Sequence, residues 1–326
     1  MSCLRRASNK FLKECVFSEK FLESSKVAEI SQAKLVGIDY VNKTNYLAVF
    51  KFEPDGPIKF KPGQYVTLGV SRPGLAELAI ELGENTFKGT GIVVRPYSVA
   101  SPPENPLIEL YIIRVDKDGG RKEGKGLLTT ELFNPQDGIQ YWLLDRAAGA
   151  FLLPEHERRN PNLNDTRTRI MVATGTGIAP YMSMLRSPTT QTAGRKFVLI
   201  HGVSNTRDHA YKDELARILD DGVDLNYIPI ASREPTERSQ KYVEEFFFNR
   251  DRLKTGRVAD EEVKRAIEEQ AQLHDTGIEN VLNHELSPEN DIIMVCGNPG
   301  MIKSLESIAE ALGFRLRVDF KREDYW

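Results

Sequence analysis

The sequence predicts two domains, an antiparallel β-barrel followed by an α/β domain built on a parallel sheet. Three observations carry this. At 326 residues the chain is longer than one core usually organises. From about Ala33 to Gln140, short apolar runs alternate with Pro and Gly and helical periodicity is mostly missing. Beyond the polar stretch Glu155–Asn162, buried apolar runs are each followed by a Gly turn or a helical pattern. The expected boundaries are an N-terminal extension over 1–30, a barrel domain over 31–158 and an α/β domain over 166–326.

In the first domain, Tyr46–Phe52 is an apolar run closed by the turn signal Pro54-Asp55-Gly56-Pro57. Pro62-Gly63-Gln64 introduces Tyr65–Val70, and Ile92–Tyr97, Leu107–Val115 and Gln140–Leu144 follow as strands. Short strands punctuated in this way read as an antiparallel barrel or sandwich. Leu75–Leu82 reads as a short helix within an insertion. Gly126–Leu132 reads as a helix start after a basic loop, with Thr129 or Thr130 as its cap; contact of the loop amides with a pyrophosphate is the alternative reading.

In the second domain, Ile170–Ala173, Phe197–His201, Leu225–Ala231 and Ile292–Cys296 are buried-strand runs. A helix is expected over Tyr211–Leu219 and another from Pro299 to Leu312. In the latter, Ile302, Leu305, Ile308, Ala309 and Leu312 form one stripe and Gly313 supplies the stop. Phe314–Phe320 reads as a last strand.

Composition narrows the function. Hydrophobic residues make up 40% and charged residues 28%, and the formal net charge is -3, so bulk charge does not draw this chain to nucleic acid. No apolar run approaches transmembrane length. The three cysteines, Cys3, Cys15 and Cys296, are far apart and lack metal-ligand spacing, which argues against a disulfide framework, a zinc site or an iron–sulfur cluster. A reducing, cytoplasmic setting, no metal and a monomer are expected. The basic N-terminus (Arg5, Arg6, Lys10, Lys13) soon meets Glu14, Glu19 and Glu23, a short extension rather than a transit peptide.

Five stretches carry candidate chemistry. Arg95-Pro96-Tyr97-Ser98-Val99-Ala100-Ser101 combines a forked cation, a flat ring and hydroxyls; by itself it reads as an exposed strand of a half-buried sheet, with a phosphorylated planar ligand as the alternative. Thr174-Gly175-Thr176-Gly177-Ile178-Ala179-Pro180 lies between a strand and a helix, where free amides and close backbone approach favour a phosphate. It is not the full three-glycine dinucleotide fingerprint, and a tight turn with no ligand is the alternative reading. Cys296-Gly297-Asn298-Pro299-Gly300-Met301 also ends a strand and starts a helix, aiming Cys296 at the same crevice; a small buried hydrophobe is the plainer reading of that thiol. Ser232-Arg233-Glu234 suits a ribose 2′-phosphate or is a solvated surface pair, with Arg238, Lys241 and Arg257 as further cations. The end, Arg322-Glu323-Asp324-Tyr325-Trp326, is either a frayed tail or a pair of rings over something flat.

In this order the motifs resemble the ferredoxin–NADP reductase family, especially its FAD-containing bacterial branch. The matching pieces are Pro62-Gly63-Gln64-Tyr65, Arg95-Pro96-Tyr97-Ser98, Gly126–Thr129, Gly175–Pro180, His201-Gly202-Val203, Ser232-Arg233-Glu234, Gly256-Arg257-Val258 and Cys296–Met301. The resemblance implies an FAD-binding barrel and an NADP-binding α/β domain. It assigns Arg95 to the FAD pyrophosphate, Tyr97 to the isoalloxazine, Ser98 to flavin N5, and Gly126, Leu128 and Thr129 to the pyrophosphate's other side. Tyr111 joins the FAD set, Tyr325 covers the opposite flavin face as a movable gate, and Trp326 packs on the adenine. Thr174, Gly175, Thr176, Gly177, Gly297 and Met301 fall to NADP, with Ser232, Arg233 and Arg257 on its 2′-phosphate. Ser98, Cys296, Glu323 and Tyr325 are the implied catalytic set. The implied activity is hydride exchange between NADP(H) and the flavin, coupled to a transient ferredoxin or flavodoxin partner. The alternatives are the reductase component of an oxygenase system and a non-catalytic flavoprotein adaptor. Two stretches depart from the family pattern, Ser71–Val93 and the insertion between Arg233 and Arg257.

Overall fold

Alternating buried and exposed positions build the first half into six antiparallel strands: β1 (Ile30–Asn42), β2 (Leu47–Pro54), β3 (Tyr65–Ser71), β4 (Val93–Ser98), β5 (Ile108–Ile113) and β6 (Gln140–Leu144). They are seen in a computed structural model that describes residues 29–44, 46–115, 126–157, 162–191, 194–234, 242–247 and 277–323. The sheet order is β4-β3-β6-β1-β2-β5. Its two outer strands approach where Val99 bridges Leu110 and the Ala100 amide donates to the Glu109 carbonyl at 2.8 Å. No continuous ladder runs there, so the expected antiparallel barrel takes a barrel-like form that is not closed. Phe50, Phe52, Leu68, Leu110 and Leu143 fill its interior.

The longest strand, β1, had no apolar signature of its own. Only Ala33 and Asn42 along it are buried, and pairing with β2 and β6 holds it in place. Helix α1 (Leu75–Leu82) buries Leu75 and Ala79 and stops at Gly83 in the left-handed region. Helix α2 (Leu127–Phe133) corrects the expected cap. Gly126 precedes it at φ 62 with no side-chain cap bond, while the Thr129 hydroxyl donates back to the Gly126 carbonyl at 3.0 Å and accepts the Val115 amide at 3.1 Å.

The second half is a parallel sheet of β7 (Thr168–Thr174), β8 (Phe197–Val203), β9 (Leu225–Ala231), β10 (Asp291–Cys296) and β11 (Phe320–Glu323), in the order β11-β10-β7-β8-β9. Among the described residues its helices are α3 (Ala179–Leu185), α4 (Pro188–Gln191), α5 (Lys212–Asp220), α6 (Ile278–Leu282) and α7 (Pro299–Ala311). The chain leaves β7 towards β8 and β9, then returns to β10 and β11 on the other side. That reversal leaves a crevice beyond the carboxyl ends of β7 and β10, where open α/β sheets place ligands. The last strand starts later than expected. Arg315 donates to Asp319 through its amide at 3.2 Å and its Nε at 2.6 Å, and this clasp makes the preceding segment a turn.

The two halves share an apolar core in which Leu47, Val49 and Tyr111 meet Ile178, Met182 and Leu185. Ser183 donates its hydroxyl to the Ser101 carbonyl at 2.7 Å, and Arg186 pairs with Glu109. Asn42 donates to the Asp208 carboxylate, and the Tyr111 hydroxyl donates to the Asp208 carbonyl at 3.1 Å. Among the described residues no helix is long and apolar enough to cross a membrane.

Candidate functional site

The crevice is built by two strand ends that touch. β7 passes into a single 3-10 turn, Gly175–Ile178, and then α3. β10 passes through Gly297 into α7, whose cap Asn298 accepts the Gly300 amide at 2.8 Å and the Met301 amide at 3.4 Å. The Thr174 hydroxyl oxygen accepts the Asn298 amide at 2.7 Å. A Cβ on Gly177 would collide with the Cys296 carbonyl, and one on Gly297, at φ 134, would collide with Thr174. These two glycines exist because the backbones cross here. Thr174, Gly175 and Thr176 remain half-buried at the mouth, whereas the Met301 side chain belongs to the core beneath.

The first domain closes the same crevice. Cys296 and Glu323 are register partners at the ends of β10 and β11. The Ser98 hydroxyl, at the end of β4, donates to Glu323 Oε2 at 2.8 Å. Ser98 and Glu323 are buried, and Cys296 is completely so and outside any disulfide. Tyr65 pairs with Ser98 across β3 and β4. Gly149 lies between the Tyr65 ring and Glu323, since a Cβ there would sit 3.1 Å from the ring and 3.4 Å from Oε1. Behind them Tyr181 is fully buried, its hydroxyl 2.8 Å from the Met294 carbonyl. Burial, with Cys296 and Glu323 adding to it, pushes that phenol well above its usual range. Three of the four expected catalytic residues thus meet; Tyr325 lies outside the described residues, as does Trp326.

Along β4, Arg95 donates to the Val94 carbonyl at 2.8 Å and forms an ion pair with Glu84, whose side chain is only 1% exposed. Glu84 was not foreseen. It follows α1 in the Ser71–Val93 insertion, which runs beside β4 through the Thr86–Val93 bridge and the Val94 amide to Asn85 carbonyl bond at 3.1 Å. Tyr97 is half-buried against the first core; burial raises its phenol's pKa, with Arg95 opposing and Glu84 adding. Leu128 buries its side chain, so Gly126–Thr129 offers backbone at its start. Tyr111 faces the second domain, its hydroxyl held by Asp208 and its ring edge-on to Tyr211.

Beyond β9, the Ser232 amide donates to the Val203 carbonyl at 2.9 Å and the Arg233 amide to Ser204 at 3.0 Å. The Arg233 side chain is exposed, and Glu234 accepts the Thr206 hydroxyl. Arg238, Lys241 and Arg257 lie outside the described residues, while Tyr242 is 54% exposed. After it, Val243, Phe246 and Phe247 anchor the insertion in the second core. His201, read from sequence only as a strand residue within a motif, proves fully buried with Nε2 2.9 Å from the Gly175 carbonyl. Among the described residues no group of His, Cys, Asp and Glu is arranged to hold a metal ion.

Residues 171–250 match the family described as Oxidoreductase NAD-binding domain. The chain is 22% identical to a ferredoxin–NADP reductase of Pseudomonas aeruginosa, over 87% of this chain and 90% of the relative. It is 24% identical to a flavodoxin/ferredoxin–NADP reductase of Escherichia coli, over 79% and 83%. Among solved structures, it is similar to a Neisseria gonorrhoeae ferredoxin NADP+ reductase with bound FAD and NADP, at a TM-score of 0.64 and 21% identity, covering 92% of this chain and 100% of that one. The two-sheet architecture is common to both.

Proposed function

We infer that this chain is an oxidoreductase of the ferredoxin–NADP reductase type, taking FAD on the barrel-like domain (31–158) and NADP(H) on the α/β domain (166–326). The observation that carries the reading is the Ser98–Glu323 hydrogen bond, which joins the two domains beside Cys296 at the strand-order reversal. The residues present fit the groups. β4 offers a cation, a ring and a hydroxyl in sequence, and beside the crossing at Gly177 and Gly297 the Gly175 turn leaves open space where a side chain would stand. Bound FAD supplies hydride acceptance and one-electron release.

The chain's own part is binding, orientation and proton placement. Arg95 would take the FAD pyrophosphate with the backbone of Gly126, Leu128 and Thr129 opposite, and Tyr97 would support the isoalloxazine face. Ser98 would address flavin N5, and Glu323 sets its hydroxyl by accepting its hydrogen bond. Cys296, wholly buried at a strand end, bounds the nicotinamide side. Thr174, Gly175, Thr176, Gly177, Gly297 and Met301 would hold the NADP pyrophosphate, and Ser232 and Arg233, with Arg257, the 2′-phosphate. Tyr325 would cover the other flavin face, with Trp326 on the adenine, as the resemblance implies. Tyr111 has its hydroxyl on Asp208, so its part is to hold the FAD domain against the NADP domain.

The finer reading is electron exchange with ferredoxin or flavodoxin. Purified protein should carry a flavin spectrum that bleaches on anaerobic addition of NADPH, faster than with NADH, and should then reduce ferredoxin or flavodoxin. A flavin left oxidised by NADPH would defeat the enzyme reading, and a clear preference for NADH would favour the oxygenase-reductase alternative and remove the assigned role of Ser232 and Arg233.

A further inference from the structure

We propose that His201 is a positioning residue for the nucleotide: its Nε2–H holds the Gly175 carbonyl inward and so turns the Thr176 amide out to the NADP pyrophosphate. The inference rests on the NADP reading above and goes beyond it by naming what sets the turn. His201 lies within β8, is fully buried, and places Nε2 2.9 Å from the Gly175 carbonyl oxygen. A carbonyl only accepts, so that nitrogen carries the proton. The other ring nitrogen, Nδ1, is buried with no hydrogen-bond partner, as suits a neutral ring with one proton on Nε2. Burial, reinforced by the neighbouring His209, lowers the His201 pKa to about 3, so the ring keeps that state at neutral pH.

The consequence follows from peptide geometry. In a planar trans peptide, C=O and N–H point in opposite directions. Fixing the Gly175 carbonyl towards the core therefore directs the Thr176 N–H away from it. As second residue of the turn, Thr176 has no acceptor for that amide inside the turn. Gly175 sits at φ 56 with open space where a Cβ would be, so this residue itself does little to prevent the peptide from flipping. The imidazole supplies the missing constraint, and His209 in turn braces it, with Nε2 3.2 Å from the His201 carbonyl and the two rings edge-to-face at 5.1 Å.

The test uses flavin-loaded protein and two variants. His201→Leu removes the donor, and His201→Gln offers an amide N–H in nearly the position of Nε2. Titration calorimetry with NADP+ should show a Kd raised about tenfold in His201→Leu, the loss of one hydrogen bond to a charged group, and largely restored in His201→Gln. Adenosine 2′-monophosphate, which lacks the pyrophosphate, should bind all three proteins alike. General damage to the domain would weaken both ligands, so an equal loss for the two overturns the proposal. So does an unchanged NADP+ Kd in His201→Leu. Failure of the unaltered protein to bind NADP+ at all removes the nucleotide site itself and this role with it.

Discussion

Ser98 and Glu323 are 225 positions apart, and their hydrogen bond forms only because the end of β4 docks on the end of β11. Ser98→Ala removes the donor from a buried carboxylate, so stability should fall by about 1–3 kcal/mol. The same change should slow anaerobic flavin reduction by NADPH about tenfold or more, since the reacting edge loses a fixed hydroxyl; stopped-flow absorbance and thermal melts separate the two effects. Glu323→Gln keeps an acceptor of the same shape, so it should melt near the parent while altering the pH profile of reduction. At this scale the sequence exposed whatever was contiguous. Arg95, Tyr97 and Ser98 read together because they are neighbours on one strand, and Cys296 was placed by the strand end before it. Glu84 and the His201–Gly175 contact were invisible, because a polar partner in an insertion and a His closing an apolar run both look ordinary until the chain folds.

The elements show the same division. Helix α1 and strands β6 and β9 have the limits their local patterns suggest, since each is an apolar run between clear breakers. β1 and β11 were hidden or misplaced, β1 because little of it is buried and β11 because the Asp319 clasp delays it. The crossing of the two strand ends is an element-level device with a sharp consequence. Gly177→Ala must push a methyl into the Cys296 carbonyl, so it should cost about 1–3 kcal/mol by overpacking and weaken NADP+ binding in the same protein. The insertion carries another. Arg95→Ala would leave the Glu84 carboxylate buried without its guanidinium, so the flavin-free protein should itself lose about 1–3 kcal/mol. A melt of flavin-free Arg95→Ala that matches the parent would mean the pair adds nothing before FAD binds.

For the whole molecule, the decisive structure is what no local pattern announces, the packing of one domain on the other and the charge network at the far end of the parallel sheet. Arg186 and Glu109 belong to different domains, and neither stands in a motif. At the far end, Asp319 is fully buried and accepts Arg315 Nε at 2.6 Å and an Arg167 terminal nitrogen at 2.7 Å, while Asp165 accepts Arg167 at 2.6 Å. Burial alone would raise both carboxyl pKa values. The hydrogen bonds and charges of Arg315 and Arg167 on Asp319, and of Arg167 on Asp165, outweigh it and hold both below their usual value. A pKa depressed in the folded state means that the unfolded chain binds protons first as the pH falls. The stabilisation is therefore complete above the unfolded value of about 4 and is lost as the pH drops towards the folded value. Asp319→Asn should lower the urea midpoint clearly at pH 7, and the gap to the parent should narrow at pH 3. A gap that stays constant between the two would mean that packing of the Arg315–Asp319 turn, rather than the carboxylate's charge, holds this end of the sheet.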